Sequence, residues 1–280
     1  MENELNQRGK GRIFIRIGQR HLSFSSLDMT QPESPVTYEP YVVKSGISMA
    51  ANLREALKSA GLKQMGIIKA LVLVDAPILL TPVELFEEQK MAEMYNHSFP
   101  RKEQEQVLYN VLPDLNAVAV FAVSKDLHTV LDDNFADLSI VAALSPVWRH
   151  LHRRSFTGAR NKLYGYFHEH RLDVFSFQQN RFKFYNQFEA ARAHDALYFL
   201  LYVWKQLLLS TEHDELHLVG DLFAAESSSV QNEQQWLVDE LRRYLQNVYV
   251  INPSAEFNRS PVTKISGMPF DLMALFTKGR

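Results

Sequence analysis

The stretch Gly18-Gln19-Arg20-His21-Leu22-Ser23-Phe24 lies about 150 residues before a stretch of similar texture, His168-Glu169-His170-Arg171-Leu172-Asp173-Val174. Each is a tight polar turn set between two apolar runs, which is the pattern of a β-hairpin. Arg12 to Ile17 and His21 to Leu27 flank the first turn, and Leu163 to Phe167 and Leu172 to Phe177 flank the second. A third strand is expected after each hairpin, at Tyr38 to Val43 and at Arg181 to Phe188. A helix follows each time. The first has apolar residues at helical spacing (Leu53, Ala56, Leu57, Ala60) and ends at Gly61, and the second runs from about Glu189 to Leu209. A buried strand then closes each unit, Ile67 to Val74 in one and Glu215 to Val219, ending in Gly220-Asp221, in the other. The order strand, turn, strand, strand, helix, strand occurs twice, so the chain reads as two similar α/β halves with negligible identity between them. The plainer alternative is any α/β protein that happens to carry two hairpins.

Between these landmarks, Thr81-Pro82-Val83-Glu84 has the form of a helix start, with Thr81 as cap, Pro82 in the first turn and Glu84 reaching back; that helix is expected to run to about Asn96. Gln106 to Leu112 and Ala117 to Val123 read as strands joined near Pro113-Asp114. A short helix is expected after Ser124, a strand over Leu138 to Ala143, and a helix from Ser145-Pro146 to about Arg154. Ser228 and Gln231 mark a further helix through about Tyr244, followed by a short strand at Val248 to Ile251. The loop Thr30 to Pro35 is polar, and after Pro253 the tail is irregular with a last helix at Phe270 to Phe276. The division expected is residues 1–158 and 159–280.

Composition bounds the function without naming it. The chain has 280 residues, 46% hydrophobic and 22% charged, enough to bury a core without covalent staples. It has no cysteine, which removes disulfides, thiolate metal ligands and cysteine nucleophiles and fits a reducing, cytoplasmic setting. A net charge of −2 and a pI near 6.6 give no global attraction to nucleic acid or anionic membrane. Met1 to Arg12 lacks the apolar run of a signal peptide. Ala196 to Leu209 is the most apolar stretch; it is shorter than the ~20 residues a membrane span needs and is interrupted by Trp204-Lys205-Gln206.

A tandem strand-strand-strand-helix-strand-helix unit resembles the actin-like ATPase superfamily, which has ribonuclease H-like halves and includes sugar kinases and chaperone ATPases. More closely, the chain resembles a Bacteroidetes family, a domain of unknown function assigned that fold. The likeness covers roughly Arg12 to Ile251 and implies two α/β halves of mixed sheets and helices facing a cleft, where active relatives hold ATP. It also implies three signals. In active relatives the first hairpin carries a metal-handling Asp, a Gly and hydroxyl residues. Here Arg16 stands at the Asp position, Gly18 is kept, and Gln19 and Arg20 replace the hydroxyls. The second hairpin should carry another Asp and a glycine-rich turn; here Tyr166 takes the Asp position and His168-Glu169-His170 the turn. The third signal, an apolar strand ending in Gly-Gly beside adenosine, is represented by Gly220-Asp221. By resemblance, the cleft-lining residues are Arg16, Gly18, Gln19, Arg20, His168, Glu169, His170, Gly220 and Asp221. Phosphoryl transfer depends on positioning and electrostatics, and both carboxylates are missing, so no catalytic residue is assigned and no cofactor is expected, ATP with magnesium being disfavoured.

Other clusters have plain readings beside functional ones. His168, Glu169 and His170 would hold a metal only if His217, Asp221 or a residue of the other half converged on them; a solvated hairpin tip is the simpler account, and no metal ligand is assigned. Arg149, His150, His152, Arg153, Arg154, Arg160 and Lys162 form a basic cluster that suits phosphate or nucleic acid, or else a helix C-terminus running into an exposed linker. Arg16 and Arg20 read as exposed hairpin residues or as a residual anion site. Phe175, Phe177, Phe182, Phe184, Tyr185 and Phe188 alternate over two strands, so both faces are apolar, one for the long helix and the other for the tail or a partner.

The function expected is therefore a non-catalytic actin-like scaffold that binds a protein partner or small ligand in its cleft or on a strand edge. One alternative is a divergent nucleotide-binding protein with residual ATPase or kinase activity, using Glu169, Asp173 or Asp221. Another is a nucleic-acid-associated protein acting through the basic junction.

Overall fold

The computed structural model describes residues 11–27, 36–59, 67–100, 104–156, 160–178, 181–221 and 228–277. The expected loop at Thr30 to Pro35, the helix end at Gly61 and most of Met1 to Arg12 lie outside them. The chain divides into two compact units, Met1–Leu112 with Val118–Ser145 and Lys264–Met268, and Pro113–Ala117 with Pro146–Thr263 and Pro269–Arg280. Residues 146–158 thus go with the second unit.

The first unit is built on a five-stranded sheet. Its strands are β1 (Arg12–Ile17), β2 (His21–Leu27), β3 (Val36–Val42), β4 (Lys69–Val74) and β8 (Asp137–Ala142), in the order β3-β2-β1-β4-β8. β1 pairs antiparallel with β2 and parallel with β4, which pairs parallel with β8. The parallel pairs need crossovers, which α1 (Met49–Ser59) and α3 (Lys125–Asp132) supply; the two helices pack on each other. α1 buries Leu53, Ala56 and Leu57, and α3 is capped by Ser124, whose hydroxyl accepts from the Leu127 N–H at 3.1 Å.

A second sheet interrupts the crossover from β4 to β8. It contains β5 (Ile78–Pro82), β6 (Glu105–Leu112) and β7 (Ala117–Ser124) in the order β5-β7-β6. Helix α2 (Met91–Ser98) closes it, with Tyr95 packed among Val118, Val120 and Ala122 and its hydroxyl donating to the Pro77 carbonyl at 3.2 Å. The helix expected from Thr81 is not there. Thr81 is a buried strand residue, Pro82 ends β5, and the α-helix starts ten residues later at Met91. A cap signal describes only local hydrogen bonding, and pairing of β5 with β7 overrides it.

The second unit repeats the topology. Strands β9 (Lys162–His168), β10 (Arg171–Gln178), β11 (Arg181–Glu189), β12 (Glu215–Gly220) and β13 (Val248–Val250) take the order β11-β10-β9-β12-β13. Crossovers are α5 (Ala193–Gln206) and α6 (Ser228–Arg242), again packed on each other. The match with the first sheet is element for element, as the sequence spacing predicts. β11 runs on to Glu189, so α5 starts at Ala193 rather than at Glu189.

Side-chain alternation gives this sheet two different faces. Leu163, Phe167, Leu172, Val174, Leu216 and Leu218 pack under Leu200, Val203 and Trp204 of α5 and Leu237 and Leu241 of α6. Gly165 lies on that face, and a Cβ there would meet Leu200 at 3.0 Å and Leu172 at 3.3 Å. The opposite face carries rings. Helix α4 (Leu144–Ser155) covers part of it through Trp148, which meets Phe182 and Tyr185 edge-on at 5.2 and 5.0 Å. Phe188 stacks on Phe199 of α5 at 4.4 Å, so rings on both faces of the hairpin meet helices and are partly buried. Two further helices, α7 (Pro253–Glu256) and α8 (Phe270–Phe276), complete the tail.

Candidate functional site

In the first unit, Arg16 is on β1 opposite Ser23 of β2 and Leu73 of β4, and only 4% of it is exposed. It is not the exposed hairpin residue of one sequence reading: both faces of this central strand are covered. Gln19 and Arg20 are exposed in the turn, while the Gly18 N–H donates to the His21 carbonyl at 2.8 Å and closes it. At the same sheet end the Asp75 N–H donates to the Ile17 carbonyl at 2.8 Å, and Asp75 is buried.

In the second unit, the turn between β9 and β10 has two residues, Glu169 and His170, between the paired His168 and Arg171. Both have positive φ, 45° and 66°, as a type I′ hairpin requires. The imidazole of His168 does not stand in this turn. It is 5% exposed and bonded through Nε2 to Asp173, which is 1% exposed and also accepts from the Tyr185 hydroxyl at 2.9 Å. Charge and hydroxyl are thus satisfied together inside the sheet, as burial of a carboxylate demands. His168 is a core residue rather than part of a solvated tip; position on alternate sides of the strand puts it on the ring-bearing face with Tyr166.

Tyr166 lies two residues before it and stacks on its ring, centroids 4.8 Å apart. Its hydroxyl reaches Asp271 of α8 at 3.5 Å, and Phe270 packs beside it at 6.2 Å. Gly220 and Asp221 arrive at the same place from β12: the Asp221 N–H donates to the Phe167 carbonyl at 3.0 Å. Gly220 has φ +88°, and a Cβ there would fall 2.3 Å from the Phe167 carbonyl oxygen and 2.7 Å from the Tyr166 ring. The structure therefore brings His168, Glu169, His170, Gly220 and Asp221 to one end of one sheet, with the Tyr166 ring set against Gly220. Sequence reasoning did not single out Asp75, the counterpart of Asp221: each donates its N–H to a carbonyl at the end of the first hairpin strand, that of Ile17 or Phe167. The repeat offset was the signal for it. Asp271 had no such signal, because only the tail's path brings it here.

The other clusters have particular partners. His217 does not join His168. It faces Tyr164, four residues earlier on β9, about 13 Å along the strand. It is sandwiched between Tyr164 and Tyr249 at 5.4 and 5.2 Å, with Nε2 3.0 Å from Glu215. Burial lowers its pKa, against the opposing pull of Glu215. Among the described residues no three ionisable ligands gather as a metal site would need. In the basic cluster, Glu256 is buried against Arg154 and lies 2.6 Å from His150 Nε2. Burial, helped by Arg154 and Arg153, pushes the His150 pKa down to about 4, so the neutral ring donates to Glu256. Lys162 donates to the Arg154 carbonyl at 3.2 Å, its pKa lowered by burial, and Arg160 approaches Glu215 at 3.7 Å. His152 is buried between Phe156 and Phe177. Acidic and aromatic partners are thus interleaved with the basic residues of this cluster, while Arg153, Arg154 and Arg160 stay exposed.

Residues 1–248 match the family described as Protein of unknown function (DUF3822). The chain belongs to that family. A crystal structure of a protein from Bacteroides thetaiotaomicron VPI-5482, described as having an actin-like ATPase fold and unknown function, is similar to this DUF3822 chain with a TM-score of 0.78 and 23% identity, over 94% of this chain and 99% of that one. A chain of the PilM–PilN type IV pilus biogenesis complex is similar at a TM-score of 0.51 and 14% identity, over 96% of this chain and 99% of that one. No curated protein matches. The DUF3822 chain therefore has the actin-like ATPase fold, an α/β fold of mixed sheets with helices. No helix among its described residues is long and apolar enough to cross a membrane.

Proposed function

We propose that this DUF3822 protein is a non-catalytic member of the actin-like fold, acting by binding a partner protein rather than by turning over nucleotide. The observation that carries this reading is the Tyr166 ring resting on Gly220. A glycine at a strand end leaves room for another group to approach the backbone, and here the chain's own ring takes that room. By resemblance, Tyr166 also stands where a metal-handling carboxylate would be. A phenol held between His168 and α8 does not replace the charge that a carboxylate would give a metal there. The Gly18 N–H, committed to His21, is a second backbone group not free for phosphate.

Use of this fold in a protein complex has a precedent in the pilus biogenesis neighbour, a likeness of fold alone. On the first sheet, strand addition is disfavoured as the mode of binding. Edge strand β3 carries Pro40 at its middle, and the outer edge of β8 is bonded by Asn110, whose side chain donates to the Ile140 carbonyl and accepts from the Ala142 N–H. Absence of cysteine supports a cytoplasmic setting.

The test is calorimetric titration of ATP and ADP, each with magnesium. No saturable heat is expected. Tight, magnesium-dependent binding would reverse the reading in favour of a divergent nucleotide-binding enzyme.

A further inference from the structure

Helix α5 carries an unusual outer stripe. Its inner face, Ala193, Ala196, Leu200, Val203 and Trp204, is buried. Diametrically opposite lie Asp195, Tyr198, Tyr202 and Lys205, spaced three, four and three residues apart and confined to an arc of about 80°. All four are exposed, and Tyr198 and Tyr202 are 63% and 48% so. Their rings stack on each other, centroids 6.1 Å apart and planes within 14°. Two large neighbouring aromatics on the solvent side of a helix are the residues that dominate protein interfaces, and the 3-4-3 spacing is the seam of a helix pair.

The stripe is its own complement. Asp195 lies five residues before Leu200 and Lys205 five after it, while Tyr198 lies two before and Tyr202 two after. A two-fold axis perpendicular to α5, passing outside the tyrosine stripe at the level of Leu200, would set two copies antiparallel. Asp195 of one would then face Lys205 of the other, twice, and Tyr198 would face Tyr202, twice. Acid at one end, base at the other and rings between is the charge arrangement an isologous antiparallel pair needs. A parallel pair would place like charges together.

We propose that α5 is a self-association surface and that its occupant is a second copy of this chain, in an antiparallel two-fold dimer centred on Tyr198 and Tyr202. The dimer goes beyond the partner-binding reading above and does not depend on it.

Sedimentation velocity and light scattering on the full chain test the dimer. At concentrations up to about 100 μM the wild type should approach twice its 32.3 kDa mass. Tyr198→Ala/Tyr202→Ala should return it to the monomer mass. Asp195→Lys alone, or Lys205→Glu alone, places like charges in both end contacts and should weaken association about tenfold or more. The two single variants mixed in equal amounts should form a heterodimer, because every end contact is then of opposite sign; the double variant should dimerise by itself. Asp195 also accepts from the Arg192 N–H at 3.3 Å, so circular dichroism of each variant checks that the helix is kept. A monomeric wild type would overturn the proposal. So would a dimer indifferent to the tyrosine and charge substitutions, or folded single variants that fail to associate when mixed.

Discussion

One glycine and two histidines carry most of what single residues decide here. Gly220 holds φ +88° with the Phe167 carbonyl and the Tyr166 ring where a Cβ would go, so Gly220→Ala must both strain the backbone and displace a buried ring. Equilibrium denaturation should register a loss of about 2–4 kcal/mol; a cost within about 0.5 kcal/mol, the range of an indifferent surface site, would mean the Tyr166–Gly220 contact is not tight. His217 is a buried base whose pKa lies below its ordinary 6.5 because burial disfavours the imidazolium. As pH falls through 6.5, the unfolded chain takes up a proton that the folded one refuses. Stability should therefore drop towards pH 5, the penalty being complete only below the folded pKa. His217→Phe keeps a ring between Tyr164 and Tyr249 and removes the proton site. Denaturation midpoints compared at pH 7.5 and 5 should fall less for the variant than for the wild type. His168 illustrates what residue identity conceals. Histidine next to a polar turn reads as exposed, yet the parity of its strand position turns it inward, where Asp173 and Tyr185 complete its bonding.

At the scale of elements, strands with both faces covered were legible as mostly apolar runs, even where a polar residue such as Arg16 or His168 breaks them: all of β9 and all but the first residue of β1 are buried. β5 was not legible, since Thr81-Pro82-Val83-Glu84 satisfies every local rule for a helix start. What decides it is a partner strand from 40 residues later in the chain, β7. Edge protection is likewise a matter between elements. Asn110 of β6 uses one carboxamide to bond two backbone groups of β8. Asn110→Leu removes both bonds and leaves a partly buried carbonyl and N–H unmatched. A loss of about 1–3 kcal/mol in chemical denaturation is expected, with faster amide exchange at Ala142; exchange at wild-type rates would show the edge to be held by other contacts.

For the whole molecule, charge is distributed rather than gathered. The basic run from Arg149 to Lys162 looked like a surface for nucleic acid, but Glu256, some hundred residues distant in sequence, answers Arg154 and His150, and Glu215 lies near Arg160. With a net charge of −2, fluorescence anisotropy with duplex DNA or RNA at low salt should show no saturable change; a salt-dependent affinity there would restore the nucleic-acid reading. The repeated order of elements, and hence the actin-like fold of both units, was set by the sequence alone, because turn spacing and the period of apolar residues act over a few residues and survive the loss of identity between halves. The tertiary structure alone decided which polar groups are silent and which are displayed. Arg16, His168 and Asp173 are taken inside by covered strands, and Tyr166 meets Gly220 only because β9 and β12 are paired. A side chain's chemistry is written locally, whereas its solvation depends on what packs over it, and that comes from distant parts of the chain.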